Sequence, residues 1–214
     1  MQRNIIILGP PGSGKGTQAK ILAKKLNLVY FGTGDFMRQE AKKGTDLGKK
    51  FEDIWQSNKA GLIPDELVDE LVRRKIRELD GKKGIIFDGY PRTLAQVEAL
   101  SKNVNSKSIL VLNIKVLAES LIYRMGTRKV CSTCGQIFPA PPADLKACPS
   151  CGNDLIQRQD DQPEVIRQRI SIYEEQTKPL ISYFQSQGNL IEVDGEPAIG
   201  EVEKEIWEKV KNVY

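Results

Sequence analysis

A glycine-rich segment at residues 9–17, Gly-Pro-Pro-Gly-Ser-Gly-Lys-Gly-Thr, constrains the fold of this chain more than any other stretch. It follows an apolar run at residues 5–8 that is typical of a buried parallel strand. It precedes residues 18–26, where apolar side chains recur at helical spacing. Between a strand and a helix, glycines let successive backbone N–H groups turn toward an anion, and the new helix adds its positive end. The pattern predicts a phosphate-binding loop in which Lys15 reaches the outer phosphates; a glycine-rich turn with a chance lysine is the alternative.

The composition limits the classes of protein to which the chain can belong. Its 214 residues are 40% hydrophobic, enough for one substantial core with a small inserted lobe. With 32 basic and 28 acidic residues the net charge is +4. This near balance does not favour a protein whose main partner is nucleic acid. Residues 1–8 predict a strand and not a signal peptide, and no apolar run approaches the roughly 20 residues of a membrane helix. We therefore expect a cytoplasmic protein without nucleic-acid or membrane partners.

Apolar segments and helical patterns alternate along the chain. Five short apolar runs predict strands, at residues 5–8, 28–31, 84–88, 109–114 and 190–193. Strands that alternate with helices predict an α/β fold with a central parallel five-stranded sheet flanked by helices. Ligands of such sheets bind at the carboxyl ends of the strands. Asp88 ends the third strand at that edge, where we expect it to organise Mg²⁺ through water.

Local patterns also predict capping and the division of the chain. Thr33 or Asp35 is expected to cap the helix after the second strand, and residues 163–187 are expected to form one long helix that begins at Pro163. The helical residues 33–63 lie between two strands and predict a lobe over the edge of the sheet. The predicted core comprises residues 1–32, 64–127 and 161–214, and residues 128–160 form a second, smaller lobe.

All four cysteines lie in the smaller lobe, as two Cys-x-x-Cys pairs. Cys131 and Cys134 form the first pair, Cys148 and Cys151 the second, and a glycine that suits a tight turn follows each pair. Four thiolates at this spacing favour a tetrahedral Zn²⁺. Two disulfides or four free thiols are the alternative, which an intracellular setting disfavours. Four protein ligands leave no open coordination position, so the metal would be structural.

Four segments together resemble the adenylate kinase family in order and spacing. They are the loop with its Gly-Lys-Gly-Thr end, Thr-Gly-Asp at 33–35 with Arg38, Phe-Asp-Gly-Tyr-Pro-Arg at 87–92 with Gln96, and Arg-Gln-Asp-Asp at 158–161 with Arg169. The resemblance covers nearly the whole chain, and the cysteine lobe is similar to the zinc-bearing lid of some bacterial members. It implies a monomeric enzyme that transfers the γ-phosphoryl group of Mg-ATP to AMP, reversibly, giving two ADP while both lobes close over the substrates.

The resemblance also implies roles for individual residues. Those expected to bind ATP are Gly12, Ser13, Gly14, Lys15, Gly16, Thr17, Arg124, Arg128, Ile137, Phe138 and Pro197. Those expected to bind AMP are Thr33, Arg38, Gly61, Leu62, Ile63, Gly89, Tyr90, Pro91, Arg92, Gln96, Arg158 and Arg169. The side chain of Gln96 would read the adenine edge. The cations expected to act on the transferring phosphoryl group are Lys15, Arg92, Arg128, Arg158 and Arg169.

Other interpretations remain open from the sequence. The acceptor could be another nucleoside monophosphate, such as UMP or CMP. A nucleotide-dependent switch would need a guanine-reading Asn-Lys-x-Asp, but the Asn-Lys at residues 58–59 is followed by Ala-Gly. A zinc-ribbon interaction protein would leave the loop at residues 9–17 unexplained. The acids Asp160 and Asp161 suit a helix N-terminus as well as a functional role. The lid is shorter than is usual in the family, so whether residues 137–138 are the lid residues that contact ATP stays open.

Overall fold

The computed structural model describes residues 4–57, 63–105 and 108–213. Five parallel strands form its central sheet: β1 (Asn4–Leu8), β2 (Val29–Gly32), β3 (Ile85–Asp88), β4 (Ile109–Lys115) and β8 (Leu190–Asp194). Their order across the sheet is β2-β3-β1-β4-β8. The predicted fold class is confirmed, and each of the five predicted strands lies within one residue of its predicted bounds.

Nine α-helices in the described ranges connect and flank the strands. They are α1 (Lys15–Lys25), α2 (Thr33–Lys43), α3 (Asp46–Ser57), α4 (Asp65–Leu79), α5 (Leu94–Ser101), α6 (Ala118–Thr127), α7 (Pro163–Ile172), α8 (Pro179–Ser186) and α9 (Ile199–Val210). A short 3₁₀ turn covers Gln159–Asp161. No helix in these ranges has both the length and the apolar character needed to span a bilayer.

The side chains of β1 alternate between two hydrophobic layers, as the period of a strand requires. Ile6 and Leu8 pack in a cluster with apolar residues of α4, α5 and α8 on one face. Ile5 and Ile7 pack with α1 and α9 on the other face. Because both faces of the sheet are covered, β1 is a nearly continuous apolar run. The loop at residues 9–17 follows β1 and so begins at the carboxyl end of this strand.

The predicted single helix over residues 163–187 is wrong, because it is interrupted. The helix α7 ends at Ile172, a π-helical turn covers Tyr173–Thr177, and α8 begins at Pro179. The N–H of Lys178 donates to the carbonyl of Tyr173 at 2.8 Å, a span of five residues. Pro179 has no N–H to continue the four-residue pattern, which explains why a wider turn precedes it.

The predicted side-chain cap of α2 is also wrong. Gly32 occupies the capping position, and no side chain caps the helix. Thr33 is the first helical residue, and its hydroxyl donates to the carbonyl of Gly89 at 3.1 Å. Asp35 is paired with Arg38 at 2.6 Å. Both residues that could have capped the helix are therefore engaged with other groups.

The lobe that contains the cysteines has a separate three-stranded antiparallel sheet. This sheet comprises β5 (Lys129–Cys131), β6 (Ile137–Phe138) and β7 (Leu155–Ile156), in the order β6-β5-β7. The sequence did not predict these strands, since each has only two or three residues and no usable periodicity. The division of the chain into a core and two lobes stays a prediction.

Candidate active site

The loop between β1 and α1 has the backbone that an anion site requires. Gly9, Gly12 and Gly14 have φ values of 150°, 83° and 86°, a region that side chains disfavour. Gly14 precedes α1 and provides no side-chain cap, which leaves the first N–H groups of the helix available to a ligand. The buried hydroxyl of Ser13 has no hydrogen-bond partner within the described chain. The loop thus presents unpaired donors where a phosphate would lie.

The ammonium of Lys15 lies at the centre of this loop. It donates to the carbonyl of Pro10 at 3.2 Å. Burial lowers its pKa to about 8, the carboxylate of Asp88 opposes this shift, and Arg92 and Arg169 add to it, as does Arg128. The surplus of positive charge around Lys15 is the electrostatic signature of a site for a polyanion.

A cleft with a volume of about 760 Å³ opens at the carboxyl edge of the sheet. Its central wall is formed by the loop and by cationic side chains: Lys15, Lys20, Arg38, Arg92, Arg124, Arg128, Arg158 and Arg169. Burial lowers the pKa of Arg158 to about 10, with further contributions from Arg38 and Arg128. The structure therefore brings together the five cations predicted to act on a phosphoryl group.

Apolar side chains line the cleft in two groups. One group follows the edge strand β2 and includes Met37, Trp55 and Val68; the other follows the opposite edge strand β8 and includes Ile199 and Val202. Because β1 lies between these edges, the cationic loop separates the two apolar groups. The cleft therefore has apolar side chains at both ends and cationic side chains in the middle.

Two acidic residues at the end of the small lobe hold Arg128 and Arg169 in place. Asp161 is completely buried and accepts from Arg128 Nη2 at 2.5 Å and from Nε at 2.9 Å. Asp160 pairs with Arg169 at 2.8 Å. A planar guanidinium held by a two-point contact keeps a fixed direction, so these acids orient the cations that line the cleft.

The carboxylate of Asp88 explains an unusual feature of the loop sequence. A β-carbon at Gly16 would lie 2.8 Å from Asp88 Oδ2, so any larger residue there would have to displace this carboxylate. The usual phosphate-loop pattern has Ser or Thr at this position; in this chain Thr17, one residue later, also lines the cleft. A carboxylate beside the loop is the hard oxygen ligand that Mg²⁺ prefers, so these residues fit that ion.

Sequence reasoning missed a hydrogen-bonded group around Asp88. The hydroxyl of Tyr30 lies 3.0 Å from Asp88 Oδ2 and 3.3 Å from Asp35 Oδ2, and burial raises the pKa of Tyr30. The ammonium of Lys20 pairs with Asp35 at 3.2 Å. Gly32 is aligned with Asp88 across the parallel pair β2–β3, so correct strand pairing would have placed Tyr30 nearby.

Several predicted binding residues lie away from the cleft surface. Tyr90 is 1% exposed, and its hydroxyl donates to Asp69 at 2.7 Å. Neither Tyr90, Pro91 nor Phe138 is among the described residues that line the cleft, whereas Ile63 is. Gly61 and Leu62 lie outside the described residues.

Arg124 and Gln96 line the cleft with their polar groups already engaged. The guanidinium of Arg124 donates to the carbonyls of Gly195 and Glu196 at 2.8 and 3.0 Å, next to the predicted contact at Pro197. The amide of Gln96 accepts from the N–H of Arg92 at 2.7 Å and donates to Asp65, a residue that the sequence did not single out. Both side chains are thereby held in fixed orientations.

The four cysteine sulfurs form one compact cluster in the small lobe. They all lie within 4.8 Å of one another and no disulfide joins them. Cys131 and Cys151 are 3.4 Å apart and Cys134 and Cys148 are 3.7 Å apart, close to the ~3.8 Å expected between thiolates around a tetrahedral Zn²⁺. The donor set is compatible with zinc.

Comparisons with known proteins agree with this geometry. The family model described as "Adenylate kinase" matches residues 7–189. A curated adenylate kinase of Archaeoglobus fulgidus is 43% identical, across 98% of this chain and 100% of that protein. Adenylate kinases of Caldicellulosiruptor bescii and Methanocella arvoryzae are 40% and 38% identical, across 94% and 97% of this chain and 96% and 98% of their own lengths.

Proposed function

The chain belongs to the adenylate kinase family, and from this premise we propose that it transfers the γ-phosphoryl group of Mg-ATP to AMP, reversibly, giving two ADP. One observation carries the proposal: an anion-binding loop and five cations converge in one cleft between two apolar ends. The resemblance noted in the sequence is confirmed by the comparisons.

The cations of the cleft would act mainly through charge. In phosphoryl transfer negative charge spreads over the equatorial oxygens of the transferring group, and positioned donors stabilise it without a side-chain nucleophile. Lys15 and the loop N–H groups suit the β- and γ-phosphates of ATP. Arg92, Arg158 and Arg169 suit the region where the two nucleotides meet. Arg128 is held by buried Asp161 and would present its guanidinium to the same region in a fixed direction.

Magnesium bound with ATP would neutralise part of the charge of the phosphates. Asp88 would hold this ion through water, with Thr17 next to it in the cleft. Tyr30 donates to Asp88 and thereby fixes the rotation of its carboxylate.

The two apolar ends of the cleft would bind the two adenines. The end that follows β8 lies beside Pro197 and Ile199 and suits ATP, and the end at Met37, Trp55 and Gln96 suits AMP. Residues 33–63 and 128–160 would close over the nucleotides and exclude the water that could otherwise hydrolyse ATP. Zinc at the cysteine cluster would stabilise the folded state of residues 128–160. The proposed enzyme is a cytoplasmic monomer.

A coupled assay tests the acceptor directly. Purified protein is given Mg-ATP with AMP, GMP, CMP or UMP in turn, and formation of ADP is followed. The proposal predicts that AMP gives the highest kcat/KM by a wide margin. Equal or greater activity with UMP or CMP would identify a different nucleoside monophosphate kinase, and no transfer to any acceptor would reject the activity.

A further inference from the structure

The carboxylate of Asp65 binds two side chains of the segment that starts α5. Oδ1 accepts from Gln96 Nε2 at 2.6 Å, and Oδ2 accepts from Thr93 Oγ1 at 2.6 Å. All three residues line the cleft at the end proposed for AMP. Gln96 itself is only 2% exposed, so its amide cannot exchange these contacts freely for water.

The second contact of the Gln96 amide is with the main chain. Its Oε1 accepts from the N–H of Arg92 at 2.7 Å. A backbone N–H can only donate, and an ionised carboxylate such as Asp65 can only accept. These two partners together determine which end of the amide is oxygen and which is nitrogen. One hydrogen on nitrogen and one lone pair on oxygen remain for a ligand.

The remaining donor and acceptor match one class of purine. Adenine presents its amino group as a donor beside ring N1 as an acceptor, whereas hypoxanthine and guanine present an oxygen acceptor beside a ring N–H donor. A nucleotide held by its phosphate cannot turn its base over to exchange these two positions. The amide orientation therefore determines which of the two purine classes the site can pair with.

We propose that Asp65 is a specificity-determining positioning residue, which holds the Gln96 amide in the orientation that accepts adenine and rejects 6-oxopurines. This inference rests on the proposed function. A flipped amide would place Oε1 against the carboxylate of Asp65 and Nε2 against the N–H of Arg92, two repulsive contacts. In Asp65→Asn the new amide can donate to a flipped Oε1, so the first of these repulsions disappears.

The test compares AMP with IMP as acceptors at saturating Mg-ATP. In Asp65→Asn we expect the ratio of kcat/KM for AMP to that for IMP to fall about tenfold or more, the range for a lost polar match. The change should appear mainly in KM, because the cations on the phosphoryl group are intact. The matched control is Glu66→Gln, which removes the same charge from the same first turn of α4 at an exposed position. It should keep the wild-type ratio.

A double variant shows whether Asp65 acts through Gln96. Gln96→Leu alone should erode the ratio, and adding Asp65→Asn to it should cause no further loss. An unchanged ratio in Asp65→Asn, or a further loss in the double variant, would overturn the inference. Circular dichroism checks the fold; if Asp65→Asn does not fold, Asp65→Ser carries the same expectation, since it also removes the carboxylate that repels a flipped Oε1. A wild-type protein inactive toward AMP would instead reject the proposed function.

Discussion

The hydroxyl of Tyr30 occupies the space that a side chain at position 32 would need. A β-carbon built on Gly32 would overlap Tyr30 Oη. Gly32 has φ −92° and ψ 108°, a conformation open to any residue, so the requirement for glycine is steric and not conformational. The side chain of Tyr30 lies over Gly32, and its hydroxyl donates to the carboxylate of Asp88.

This contact predicts a coupled pair of substitutions. Gly32→Ala should lower the free energy of unfolding by about 1–3 kcal/mol, the usual cost of overpacking. In a Tyr30→Ala background the same change should cost less than about 0.5 kcal/mol, because the clashing atom is gone. Urea denaturation of the four proteins measures the difference. Gly126→Ala is the control, since a β-carbon there meets nothing within 4 Å; equal costs in both backgrounds would contradict the steric explanation.

Lys15 should contribute to activity and reduce stability. Lys15→Met should lower kcat by about 10²–10³, the loss typical of one preorganised charge donor. At pH 7 it should also raise the melting midpoint by about 2–4 °C, the shift for about 1 kcal/mol in a chain of this size. Enzyme kinetics and thermal melts check the two effects, with Lys24→Met, an exposed lysine of α1, as control.

The sign of this stability effect follows from the pKa of Lys15. The pKa of about 8 in the folded protein lies below the ordinary lysine value of 10.5, so between these pH values the unfolded chain binds more protons. Wild-type stability should therefore rise with pH across that window, and the penalty applies in full below pH 8. The advantage of Lys15→Met should vanish above pH 10.5. A variant less stable than wild type at pH 7 would show that burial of this charge is not costly.

The buried ion pair between Asp161 and Arg128 should be important for stability. Asp161→Asn leaves Arg128, whose side chain is 13% exposed, without its two-point acceptor. Removing one partner of a buried pair costs about 3–5 kcal/mol, and we expect a loss of that size. Chemical denaturation measures it, and Glu164→Gln, an exposed acid in the first turn of α7, is the control. A loss no larger than that of the control would mean that water replaces the contact.

Metal removal should unfold the small lobe and leave the sheet intact. Residues 128–160 offer few large apolar side chains, so metal binding must supply much of the folding free energy, on the order of 10 kcal/mol for such sites. Cys148→Ser should lose zinc and show two calorimetric transitions or one broadened one. Ser132→Ala, at an exposed position in the same lobe, should keep one metal per chain. Wild-type protein with neither metal nor free thiols would contradict the zinc site.

The lobe should also determine the temperature at which activity is lost. Its proposed role is closure and not bond-making, so the activity of Cys148→Ser should fall only as the lobe melts. Activity assays across temperature, compared with calorimetry of the same sample, test whether activity is lost at the temperature at which the lobe unfolds. Full activity above the first transition would contradict a role of the lobe in closure.

The sequence by itself determined the features that depend only on residues close together along the chain. The loop at residues 9–17, the five strands and the cysteine pairs were predicted, because each follows from a short pattern whose chemistry is complete within a few positions. The family resemblance followed from the same segments. Two local inferences failed. The helix predicted over residues 163–187 is interrupted before Pro179, because a helix can absorb a proline through a wider turn when the surrounding packing holds both halves. Neither Thr33 nor Asp35 caps α2, because both side chains bond to other groups.

Only the tertiary structure decided how distant side chains share their hydrogen bonds. Tyr30 and Asp88 are 58 positions apart, and Asp65 and Gln96 are 31 apart. The periods of helices and strands relate only residues a few positions apart, so they do not predict such pairs. They meet because parallel strands align their carboxyl ends, and because α4 and α5 pack against the same face of the sheet. A hydrogen bond depends on the positions of two atoms to within a few tenths of an ångström, and only the packed chain fixes those positions.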